Sequence, residues 1–248
     1  MKEQQQMAHP AIIRIDPAAL ILQTLDLDAA AFQSSLPVQN YSLVFEDATI
    51  GLAVGVWDTT TMQETFGPYP GDEFITVLEG QFAILDVNGA AVSGSAGQSA
   101  CFRNAVPASW KQEGYLKKVY LTLQDPLAGT PSFSRSIPCM TVLEPATAFA
   151  TARVRVGAPA CETLFRNDTN TMTVTQINYA ATRLPLAVSV DHQLIRVLAG
   201  AITLTDSSGH ADHFGPDAHI FVPRGTRCAW HIADGTLAWH VTVTARAA

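Results

Sequence analysis

Val77-Leu78-Glu79-Gly80 returns 120 residues later as Val197-Leu198-Ala199-Gly200. The same shift lays Asp86 on Asp206, Gly89 on Gly209, Trp110 on Trp230, Phe45 on Phe165, Val54 on Val174 and Thr122 on Thr242. These are apolar residues, turn glycines and one Trp, the positions that keep a backbone rather than a chemistry. Self-similarity over so long a period marks a duplicated folding unit. A short leader recurs as well, at a shift of 128: Ile15-Asp16-Pro17-Ala18 and Leu143-Glu144-Pro145-Ala146. Between the halves, Gln124 to Pro138 holds three prolines and little periodicity, as a linker does. The reading is an N-terminal barrel with its leader over 1–128, then the linker and a C-terminal barrel over 129–248.

Both halves read as strands. Phe74 to Leu85, Leu116 to Leu123, Met172 to Tyr179, Leu194 to Thr205 and Leu237 to Thr244 are rich in Val, Ile, Thr and aromatics. Asn88-Gly89, Ser208-Gly209 and Asp234-Gly235 supply turns. Short strands at regular spacing with glycine turns indicate an all-β sandwich or barrel. Short helices are expected after Asp16, with Pro17 at the first position, and after Asp28.

Composition narrows the function class. Of 248 residues, 48% are hydrophobic and 15% charged, a globular balance. The net charge of −7 and scattered basic residues disfavour a nucleic-acid partner, which needs clustered cations. No apolar run of membrane-spanning length and no signal peptide is visible. The four cysteines form no C-x-x-C pair, so a cytoplasmic protein with free thiols is expected. Gly94-Ser95-Ala96-Gly97 is too short for a phosphate or nucleophile motif and reads as a small-residue loop.

Glu73, followed by the turn glycine Gly80, then Gly97 through Trp110, and Pro223-Arg224-Gly225 in the second half resemble the two motifs of the cupin superfamily. Gly55-Val56-Trp57, Asp72-Glu73-Phe74, Trp110 and Lys118-Val119-Tyr120 resemble more narrowly the branch of ureidoglycine-aminohydrolase-like and ethanolamine-utilisation cupins. The resemblance implies two tandem jelly-roll barrels related by internal duplication. It also implies a divalent metal held by His-x-His and Glu in the first motif and by His in the second. Those positions are not kept. They hold Gly67 and Tyr69 (or Phe66 and Pro68), Glu73 and Ala108 in the first half. In the second they hold Ala187 and Ser189 (or Leu186 and Val188), Gln193 and Cys228. No standard metal site is expected, and no cofactor.

Glu73, at an inward position, is the candidate general base. Trp57, Tyr69, Arg103, Trp110, Lys118 and Tyr120 would line a pocket in the first barrel suited to a small polar or carboxylate ligand; Trp110, being repeated, suits core packing better. Six of the seven histidines lie in the second half. His210, His213 and His219 invite a metal reading, but His210 follows a turn and is expected to be exposed. His192, Gln193, Cys228 and His240 are placed nearer the interior as ligand contacts, or as a non-standard divalent-metal site. Three functions follow. The first is a metal-independent protein binding a small metabolite, with the first barrel as its site. The second, implied by the branch, is a hydrolase or isomerase on a ureido, amino or carboxylate compound, with Glu73 as base. The third is a structural or regulatory protein with filled barrels. Monomer and homodimer are both open.

Overall fold

The computed structural model describes residues 10–124, 137–144 and 159–245. Most of the linker expected over 124–138 lies outside them. Among the described residues the regular elements are β-strands, with one 3-10 turn at Ala29–Ala31. Asp28 caps that turn, accepting the Ala30 amide at 2.9 Å. After Asp16 the chain makes only a turn, because the Asp16 carboxylate takes the Ala18 amide at 3.1 Å and its carbonyl takes the Ala19 amide. Among the described residues no helix is long and apolar enough to cross a membrane.

The chain divides into two compact units, Asp16–Pro145 and Met1–Ile15 with Ala146–Ala248. In the first, one sheet runs in the order Met140–Leu143, Ser99–Phe102, Asp72–Glu79, Leu116–Leu123, Leu52–Thr59, Gln39–Asp47, Gln23–Thr24. The other runs Met62–Gln63, Pro107–Gln112, Gln81–Leu85, Ala91–Ser95, with Gly67–Pro68 also on Pro107–Gln112. In the second unit, one sheet runs Ile13–Ile15, His219–Val222, His192–Ala199, Thr236–Val243, Met172–Tyr179, Ala160–Arg166. The other runs Thr182–Val188, Arg227–Ile232, Ile202–Asp206, Ala211–Phe214.

Strand answers strand at the shift of 120 seen in the sequence: Leu52–Thr59 with Met172–Tyr179, Asp72–Glu79 with His192–Ala199, Leu116–Leu123 with Thr236–Val243. The registers agree too. Trp110 lies across from Ile84 as Trp230 does from Leu204, and Ala108 across from Gly67 as Cys228 does from Ala187. The central strands are buried on both faces, and one face of each supplies the barrel core. In the first, Ile75 and Val77 pack with Phe82, Ile84, Phe102 and Trp110; in the second, Ile195 and Val197 pack with Ile202, Leu204, Val222 and Cys228.

The leader strands depart from the expected division at 128/129. Ile13–Ile15 pairs with His219–Val222, and Met140–Leu143 pairs with Ser99–Phe102. The first leader thus belongs to the second unit, and the second leader to the first. Arg14 secures the exchange: its guanidinium lies 4.1 Å from the Phe214 ring centroid and donates to the His213 carbonyl at 2.8 Å. The stretch Ser93 to Gly97 differs from expectation as well, for most of it is the strand Ala91–Ser95. Gly94 sits where the Phe82 ring presses, and a Cβ there would lie 2.7 Å from Phe82 Cε1.

Candidate functional site

Strand alternation decides which predicted residues meet. On Asp72–Glu79, Glu73 shares the inward side with Ile75 and Val77. On the strand from His192 to Ala199, Gln193 takes that side and His192 the other. His192 stacks on Phe221, and its Nδ1 accepts the Arg224 amide at 3.2 Å. Asp72 does the same for Asn104 in the first unit, at 3.0 Å. His192 therefore ties down a turn and is not part of an interior site.

In the first barrel the surroundings of Glu73 are filled by side chains. Glu73 is buried, with Lys118 Nζ 2.9 Å from Oε1 and the Tyr69 hydroxyl donating to Oε2. The Lys118 ammonium lies 4.8 Å from the ring centroids of both Trp57 and Trp110. Trp110 is buried and stacks on Phe82 at 4.1 Å between centroids, its indole N–H donating to Gln112. Tyr69 stacks on Phe102 at 4.7 Å. Burial pushes the Tyr120 hydroxyl up to about 12, helped by the charge of Glu73. Glu64, which the sequence reading passes over, belongs to this group: burial raises its carboxyl, Lys118 opposes that rise and Glu73 adds to it. Arg103 is grouped instead with Cys101 and Asp72, its charge partly offsetting the rise that burial imposes on the Cys101 thiol. Each oxygen of Glu73 thus holds one donor, an ammonium on one and a phenol on the other, so the carboxylate stands in a buried charge pair.

The second barrel is open. A cavity of about 400 Å³ is lined by Tyr179, Ser189, Gln193, Cys228, Trp230 and His240 among others. Its origin lies in paired positions. Where the first barrel has Trp57, Tyr69, Phe82, Phe102 and Lys118, the second has Ile177, Ser189, Ile202, Val222 and Ala238. The space that the larger side chains fill in one barrel remains as a pocket in the other. In the first barrel, expected to be the site, the space around Glu73 is filled, and that unit's cavity of about 560 Å³ lies instead beside Ile84, Val106, Pro107, Cys139 and Met140.

A hydrogen-bonded chain crosses this pocket. Ser189 donates to the Asp191 carbonyl at 2.8 Å, and Gln193 Nε2 donates to Ser189 Oγ at 3.3 Å. Gln193 Oε1 meets His240 Nδ1 at 3.4 Å, and His240 Nε2 meets the Tyr179 hydroxyl at 3.0 Å. Since Gln193 Oε1 can only accept, Nδ1 carries the proton of His240, and Nε2 accepts from Tyr179. Burial lowers His240 to about 4, so the ring is neutral at pH 7. Burial pushes the Cys228 thiol up, with a hydrogen bond from Trp230 opposing, so the thiol is protonated and a weak nucleophile. Tyr179 has no role in the sequence reading, and Trp230 enters it only as the repeat of Trp110. Tyr179 shares the strand parity of Thr175 and Ile177, the signal that places it inward.

The positions that would hold a metal do converge here: Ala187, Ser189, Gln193 and Cys228 line one pocket. Their donors are a hydroxyl, an amide and a protonated thiol, with no carboxylate and no imidazole, a poor set for a divalent transition metal. The first barrel offers Gly67, Tyr69, Glu73 and Ala108, with the one carboxylate already paired. Neither set fits the metal that the resemblance implies. His210, His213 and His219 do not assemble either, His210 being exposed and His219 buried. Among the described residues no three His, Cys, Asp or Glu side chains are grouped to hold a metal ion.

No protein-family model matches the chain, and no curated protein does. Solved structures do resemble it. A protein of unknown function from Pseudomonas syringae, assigned to the DUF861 family, superposes with a TM-score of 0.69 at 18% identity, over 95% of this chain and 100% of that one. A cupin 2 conserved barrel domain protein from Leptotrichia buccalis gives 0.62 at 11% identity, over 97% and 99%. A putative dioxygenase from Nostoc punctiforme gives 0.62 at 11% identity, over 94% and 82%. The fold of this chain is the cupin fold.

Proposed function

We propose that this chain binds a small uncharged molecule in its C-terminal barrel, without a metal at the standard cupin positions. The supporting observation is the pocket of about 400 Å³ with a neutral polar floor. That volume lies within the range of small-molecule sites, roughly 300–1,000 Å³. Its walls are apolar: Ile177, Leu184, Pro185, Val188 and Ile232. Its floor offers an acceptor at the Tyr179 oxygen and a second N–H donor on Gln193. Among the described residues no Lys or Arg lines it, and Asp191 is the one acidic residue there. An ionised carboxylate would find no cation among these lining residues and would face the like charge of Asp191. The pocket therefore suits an amide, alcohol or ketone on a compact apolar frame, and the carboxylate expectation is dropped for this barrel.

A matched set tests this: benzamide, benzoate and benzylammonium, titrated against the protein by calorimetry and thermal shift. The amide is expected to bind and the two ions not. At a hundredfold excess over Kd, binding stabilises by about 2.7 kcal/mol. Ser189→Tyr, which restores the side chain that plugs the first barrel, is expected to abolish the shift. Benzoate binding as tightly as benzamide, or binding that survives Ser189→Tyr, would overturn the proposal.

A further inference from the structure

The first barrel retains one member of the ligand set that its fold implies for a metal, Glu73, and that carboxylate already has a cation. Lys118 enters from the strand Leu116–Leu123 and sets its ammonium 2.9 Å from Glu73 Oε1. Both side chains are almost wholly shielded, with 9% and 7% of their surface exposed. Trp57 and Trp110 flank the ammonium at 4.8 Å, and their π faces favour a cation. Tyr69, at one of the positions that would supply an imidazole, donates to the other carboxylate oxygen. Ala108 stands at the position of the last imidazole and offers no donor. A divalent ion approaching Glu73 would meet a positive charge within a few ångströms in a poorly solvated interior, where like charges repel strongly.

We infer that Lys118 is the resident cation of the first barrel, taking the carboxylate that a metal would use and excluding divalent ions from it. This reading concerns the other barrel and does not depend on the pocket proposed above. In the second barrel both halves of the pair are gone together, Glu73 being matched by Gln193 and Lys118 by Ala238. Loss of both at once is what a charge pair requires, since either alone would leave a buried uncompensated charge.

The test rebuilds a metal set around Glu73 with and without the lysine. Tyr69→His/Ala108→His is compared with the same pair plus Lys118→Ala, in the full chain with no affinity tag, titrated with Ni²⁺ by calorimetry. The triple variant is expected to take one equivalent, and the double to bind at least about a hundredfold more weakly. Equally tight Ni²⁺ binding by the variant that keeps Lys118 would overturn the inference. So would stoichiometric Ni²⁺ on the unmodified protein that Glu73→Gln removes. A second comparison holds if the rebuilt site does not fold. Lys118→Met is expected to lower Tm by about 10 °C, and Lys118→Met/Glu73→Gln to recover most of that loss. A double variant no more stable than the single would show that charge pairing is not what Lys118 supplies.

Discussion

Acid should weaken the second unit through two buried histidines, and the size of the effect follows from their surroundings. His240 is lowered to about 4 by burial, and His219 to about 3 by burial and by the charge of Arg196, with the Asp217 backbone opposing. An unfolded chain titrates histidine near its ordinary value of about 6.5. Between those limits the unfolded state binds more protons, so stability rises with pH. The contribution is complete above pH 6.5 and drains away as pH falls towards 4 for His240 and towards 3 for His219. From pH 7 to pH 5 each histidine accounts for a loss of about 2 kcal/mol, or about 4 kcal/mol for the pair. The assay is urea unfolding at both pH values, followed by far-ultraviolet circular dichroism. His240→Gln should cut the pH-dependent loss by about 2 kcal/mol, and His219→Gln by a similar amount. Subtracting variant from unmodified protein removes carboxyl groups such as Glu64, whose raised pKa works in the opposite sense. A pH-dependent loss left unchanged by His240→Gln would refute the claim that the pocket histidine is buried in its neutral form.

Two further outcomes are expected. Gly200 turns with φ +77°, and a Cβ there would lie 2.5 Å from Thr236 Oγ1 and 2.7 Å from Thr236 Cα. Gly200→Ala should therefore cost about 2 kcal/mol in urea unfolding at pH 7, and a cost near zero would contradict that geometry. Of the four cysteines Cys161 is exposed and Cys101, Cys139 and Cys228 are buried. Native protein should show one fast thiol towards a maleimide at neutral pH, absent in Cys161→Ser; fast labelling of Cys228 would show that its thiolate is populated.

The barrels were legible because the repeat preserves what a backbone needs. Gly80 and Gly200 both turn at positive φ, and Trp110 and Trp230 sit in matching registers. The places of the motif positions were legible for a related reason: fixed spacing from Glu73 and Gln193 led to residues such as Ala108, Ser189 and Cys228 that do line the interior. That the space around Glu73 would be filled while the matching space around Gln193 stays open was not legible. It depends on side-chain volumes summed over positions such as 57, 69, 82, 102 and 118, and no local pattern reports that sum. The mistaken pairing of His192 with Gln193 was avoidable, because adjacent strand residues point to opposite faces. Glu64 was missed because it belongs to none of the described strands and joins Lys118 and Glu73 only through space.

The exchange of leaders separates the order of synthesis from the order of completion. The unit whose middle emerges first from the ribosome still waits for Met140–Leu143 to finish its sheet, while the later unit receives an edge strand made at the start. A fragment cut inside the linker would strip each product of a strand it needs, even though both pieces keep most of a barrel. A rearranged chain that opens at Asp16 and carries Ile13–Ile15 at its far end would make each unit continuous, and would isolate what the exchange contributes to cooperativity.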